Sequence, residues 1–184
     1  MAKYTVALSK GWSDLEKLTQ EKKYSLRFLA DEYEVDLESR RILSVSPNAP
    51  AKDYLSIILL HFLIQKLKGL PRPTGEWLSF KQLSGGQGYF PTFKKRVIDV
   101  IVRKYSPKPE ELFKLTERLD AKRAQHGDIS IIIEVLEQLP VLITFWRGDD
   151  EFGPEANILF DQNINNIFCT EDVVVLAEAL VYNI

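Results

Sequence analysis

The chain predicts an α+β fold: an antiparallel sheet of about five strands, an N-terminal hairpin plus C-terminal strands, packed with about five helices. Three observations lead there. Apolar residues recur at helical spacing through much of the first two thirds of the chain, and short β-branched runs crowd the stretch from Ile129 to Phe160. No regular strand-helix alternation occurs, which argues against a doubly wound sheet. With 184 residues and 45% hydrophobic composition, one domain spanning residues 1–184 can bury a full core.

Trp12, Leu15 and Leu18, then Leu26, Leu29 and Ala30, fit one or two amphipathic helices over residues 12–31, with Ser13 and Asp14 as early caps. Tyr33, Val35 and Leu37 alternate with acids, and "ESRR" separates them from Ile42, Leu43 and Val45; this is a β-hairpin. Residues 52–68 form the most apolar helix candidate. Between Tyr54 and Ile64 only Ser56 and His61 are polar, so this helix should be central and buried.

"WLSFKQLSGGQGYFP" reads as an aromatic and glycine-rich loop. "TFKKRVIDVIVRKY" then follows as a helix with Thr92 at its N-cap, and residues 109–121 add another, opened by Pro109, Glu110 and Glu111. Past His126, residues 129–136, 141–146 and 156–160 read as adjacent antiparallel strands. "TEDVVVLAEALVYN" closes the chain as a helix with Thr170 as N-cap and Glu171 and Asp172 in its first turn.

The single Cys169 excludes an intramolecular disulfide and any cluster held by several thiolates of this chain. With no apolar run of membrane-span length and no secretory signal, a cytoplasmic protein without a membrane partner is expected. A formal net charge of −2 makes nucleic acid an improbable partner. The charge is unevenly placed: residues 1–123 hold 23 of the 24 Lys and Arg against 15 of the 26 acids, a formal +8, and the remainder carries −10. Such halves either compensate each other on packing or steer a partner.

"LSGGQ", Leu83 to Gln87, spells the signature of the ATP-binding cassette ATPases. That motif works only with a phosphate loop of the form GxxxxGK[ST], and the chain contains no Gly-Lys pair. The glycines Gly85, Gly86 and Gly88, ahead of Lys94, Lys95 and Arg96, instead form either an anion cradle or a tight loop before a solvated basic helix. Around them Trp77, Phe80, Tyr89, Phe90 and Phe93 line a pocket or pin a long connection.

Asp149, Asp150 and Glu151 sit beyond one strand, and Asp161 closes the next. If strands 141–146 and 156–160 pair as a hairpin, Asp161 falls opposite the start of the first, so a compact four-carboxylate metal site is not expected. The weak metal candidates are Asp149, Asp150, Glu151 and His61, for which solvated turn acids and a hydrogen-bonded core histidine are the alternatives. Cys169 stands at a helix start, where its thiol is either activated or idle.

"DYLSIILLHFL", "GEWLSFKQLSGGQGYF", "LITFWRGDDEFGPEANILFD" and "TEDVVVLAEAL" together resemble a domain-of-unknown-function family found mainly in anaerobic bacteria and archaea. The likeness runs from about Tyr24 to Val181, and the Trp, acidic-Phe, apolar-Phe-Asp sequence is its most specific part. Some members carry an appended cysteine-rich iron-sulfur module, which implies a place near redox or corrinoid chemistry. This chain lacks that module, so the resemblance implies iron-sulfur or corrinoid chemistry only through a redox or iron-sulfur protein partner. Gly153 is an extra residue relative to the family pattern.

The positions the resemblance marks are Trp77, Phe80, Gly86, Tyr89, Trp146, Asp149, Glu151, Phe152, Phe160 and Asp161, and these are the candidate ligand-binding residues. The leading expectation is an accessory domain that binds a small ligand or a redox partner. A metal-assisted hydrolase or transferase using the acidic strand-end cluster is the alternative.

Overall fold

The computed structural model describes residues 2–184. It is an α+β structure with five α-helices and two antiparallel sheets. The first sheet has the order β1 (Lys23–Phe28), β2 (Asp31–Asp36), β3 (Arg41–Ser44) and β4 (Ala49–Pro50). The second has the order β5 (Trp77–Ser79), β9 (Glu155–Asp161), β8 (Leu139–Trp146), β7 (Ile129–Leu136) and β6 (Ala121–Arg123). The N-terminal hairpin is therefore not continuous with the C-terminal strands. It meets them at the β1–β2 turn, where the Leu29 N–H donates to the Val135 carbonyl at 2.9 Å.

Helix α1 spans Ala2–Glu16 and stops well short of residue 31. Ser13 and Asp14 lie inside its last turns, with Asp14 paired to Lys17, so neither is an N-cap. Residues 23–28 are a strand because Tyr24, Leu26 and Phe28 turn inward while Lys23, Ser25 and Arg27 face solvent, a period of two. Leu29, which completes the apparent helical spacing, sits in the turn with φ +54°. The expected hairpin is present, with Val35 opposite Ile42.

Helix α2, Asp53–Lys68, is the buried helix its composition predicts, with Ile58, Leu59, Leu60, Phe62 and Leu63 at most 1% exposed. The connection from Trp77 is more ordered than a loop. It holds β5, a 3-10 turn at Phe80–Gln82, and helix α3, Gly86–Phe93. Gly85, with φ +73°, precedes the helix, so Thr92 lies inside it and is no cap. Pro91 has no N–H to donate back along the helix. The chain answers with a π turn at Lys94–Ile98 before α4, Asp99–Tyr105, and the Lys94 N–H is shared by the Phe90 and Pro91 carbonyls.

Residues 109–117 form a 3-10 helix rather than an α-helix over 109–121. Strands β7 and β8 are buried on nearly every residue, as expected of the middle of a sheet covered on both faces. In the β8–β9 ladder Val141 pairs with Phe160 and Trp146 with Glu155, the register expected from the sequence. Helix α5, Thr170–Asn183, has Cys169 rather than Thr170 at its N-cap; the Thr170 hydroxyl donates to the Ser84 carbonyl at 2.8 Å instead. No helix among the described residues is long and apolar enough to cross a membrane.

Candidate functional site

The ten residues singled out from the sequence divide into three places. At one end of β9, Trp77 pairs with Asp161. Asp161 is 1% exposed, and its carboxylate accepts from the Thr74 N–H and hydroxyl, the Gly75 N–H at 2.7 Å and the Asn163 N–H at 2.9 Å. Burial alone would raise this carboxyl; the hydrogen bonds from Thr74, Asn163 and Gly75 outweigh it and hold the group below its ordinary value. A carboxylate so occupied ties the segment before β5 to the sheet.

Phe80, Phe160 and Gly86 belong to the packing behind it. Phe80 stacks on Phe93 with centroids 3.9 Å apart and planes 4° from parallel, and Phe93 meets Phe160 edge-on at 6.5 Å. A Cβ on Gly86 would overlap the Phe80 carbonyl oxygen, so the glycine is required for the 3-10 turn and α3 to lie together.

Trp146, Asp149, Glu151 and Phe152 lie at the other end of β9. Glu155 and Asp161 are six positions apart along the strand, roughly 20 Å. Trp146 covers Gly127, where a Cβ would come within 2.9 Å of the indole. The Asp149 carboxylate accepts from the Glu151 and Phe152 N–H groups at 2.9 and 2.8 Å, and these bonds, Phe152's first, lower its pKa. Phe152 is 68% exposed at this tip. The aromatic-glycine segment and the acidic segment thus do not share a cavity. His61 lies on α2 and belongs to neither set, and among the described residues no three His, Cys, Asp or Glu side chains gather as a metal-holding group.

Tyr89, whose ring meets Phe80 with centroids 6.4 Å apart, leads from that packing to a third place. A groove of about 750 Å³ lies between α1, α2, the start of α3 and α5. Its lining includes Tyr4, Ala7, Ile57, Tyr89, Val174 and Val175, and Ser84 and Gly85 of the "LSGGQ" stretch border it. Two polar stations stand along α5. His61 Nδ1 lies 2.9 Å from Asp172 Oδ2, and a ring nitrogen facing a carboxylate is the protonated one, so His61 donates. The Arg96 Nη1 donates to Glu178 at 3.2 Å and to the Tyr89 hydroxyl at 3.5 Å. Asp172 and Glu178 are six residues apart, about 9 Å along the helix.

His61 is consequently a hydrogen-bonded wall residue, with its side chain one third exposed, rather than a core histidine. Cys169 also borders the groove; burial first, and then the Asp172 charge, push its thiol up to about 11. It is an un-ionised thiol at neutral pH despite its helix-start position. Lys94, Lys95 and Arg96 are not in a first helical turn, because α3 begins at Gly86; they open the π turn two turns later. Arg96 and Tyr89, seven residues apart, share one face of that helix and come together at the groove.

Sequence reasoning found His61, Tyr89 and Arg96 but did not join them to Asp172, Val175 and Glu178. The signal was present as the i, i+3, i+6 spacing of those three on α5, with Ile57 four residues before His61 on α2. Neither pattern says that α5 and α2 face each other.

No curated protein and no solved structure matches the chain. Its residues 15–183 do match a family model, and the chain belongs to the family described as Domain of unknown function (DUF3786).

Proposed function

We propose that this protein is a small-ligand-binding accessory domain and that its site is the groove between α1, α2, α3 and α5. The observation that carries the reading is the groove itself: about 750 Å³, walled by aliphatic and tyrosine side chains, with a few placed polar groups. Cavities of roughly 300–1,000 Å³ with that lining are the ordinary form of a small-molecule site. The polar groups are already paired with one another, His61 with Asp172 and Arg96 with Glu178, which suits binding and orientation better than proton transfer or nucleophilic attack. The high thiol pKa of Cys169 points the same way.

The test is a fluorinated-fragment NMR screen of the wild-type protein beside Ala7→Trp, which sets an indole in the groove. Fragments that bind the wild type and lose binding in the variant support the reading. An empty screen, or hits that bind the variant equally well, removes it.

A further inference from the structure

The charges around the groove specify its ligand more closely than its volume does, and the inference rests on the groove being a binding site. Glu171, Asp172 and Glu178 border it against Arg96 and His61. Arg96 is committed to Glu178 and the Tyr89 hydroxyl. With His61 neutral the groove carries a formal −2, and with His61 protonated it still carries −1. Lys10 and Lys68 border not this groove but a smaller one of about 480 Å³, which meets it at Ala7, His61, Cys169 and Asp172 and also carries Asp14. Tyr4 and Tyr89 also border the groove, and aromatic residues beside a cation are favourable neighbours for it.

We infer that the ligand is an amphipathic monocation, an apolar body carrying a primary or quaternary ammonium group. The body lies along Ile57, Val174 and Val175, and the ammonium lies at the Glu171–Asp172 end of α5. An anion of the same shape meets carboxylates at both polar stations, because Glu178 already neutralises the only arginine there.

Isothermal titration with three probes of equal chain length, octyltrimethylammonium, octanol and octanoate, each below its micelle concentration, tests this. The expected order is cation, alcohol, anion, with the cation preferred over the alcohol by roughly fivefold or more at low salt. Glu171→Gln, at an exposed position, narrows that preference by weakening the cation more than octanol. Ala7→Trp weakens all three. Octanoate binding as tightly as the cation, or a preference unmoved by both Glu171→Gln and salt, overturns the ligand class while leaving the groove as the site. If no probe binds the wild type more tightly than Ala7→Trp, the groove reading itself falls and the inference falls with it.

Discussion

Replacing Asp161 should cost stability in a way that separates its clamp role from ligand contact. In Asp161→Ala the Asn163 N–H, which is buried, loses its acceptor, and an orphaned buried donor costs about 1–3 kcal/mol. The Thr74 and Gly75 N–H groups lose charge-assisted bonds but lie in an exposed segment where water replaces part of the loss. The expected destabilisation is roughly 2–4 kcal/mol, and Asp161→Asn, which keeps one acceptor oxygen, should cost roughly 1–2 kcal/mol. Because the folded-state carboxyl is depressed from an ordinary 3.8, its stabilisation is complete above that pH and is lost as pH falls through the lower folded value. Asp161→Asn should therefore lack this part of the acid-side decline. Urea unfolding of the three proteins between pH 2 and pH 7 measures both effects. A loss below about 0.5 kcal/mol for Asp161→Ala, or an unchanged acid decline in Asp161→Asn, would refute the clamp.

Gly86→Ala should destabilise by roughly 1–3 kcal/mol, since its Cβ meets the Phe80 backbone oxygen and backbone cannot yield as a side chain does; thermal unfolding against Gly88→Ala, where nothing lies within 4 Å, is the control. Phe93→Ala removes both ring contacts and should cost roughly 3–5 kcal/mol by urea unfolding. Cys169, exposed but with its thiol pushed up to about 11, should react with iodoacetamide far more slowly than a free thiol at pH 8, and Asp172→Asn should speed that reaction. Phe152→Ser, at an exposed turn, should leave both stability and groove binding unchanged.

Much of the fold is legible in the residues. The run from Ile129 to Phe160 reads as three strands because β-branched residues and short breaks leave little room for anything else, and α2 declares itself by being apolar on all sides. Errors fall where two periods coincide or where a residue breaks a local rule. Leu26, Leu29 and Ala30 mimic a helical stripe across a strand and its turn. A segment with Gly85 at its cap, Gly86 and Gly88 in its first turn and Pro91 in its interior reads as a loop, yet it is helical where Phe93 and Gly86 pack against Phe80.

Site residues were less legible for a physical reason. Asp161, Phe160, Phe80 and Gly86 stand out because they are structurally exacting, and a sequence marks a buried clamp and a ligand contact alike. The groove is assembled from α1, α2, α3 and α5, and Asp172 and His61 are 111 residues apart. No local pattern encodes such a meeting.

Amide shift mapping of the isotope-labelled protein with octyltrimethylammonium tests the central claim most directly. The account predicts saturable shifts at Ile57, Tyr89, Val174, Val175 and Glu178, all around the groove. Saturable shifts confined to the Asp149–Phe152 turn, or none at these groove positions, would contradict it.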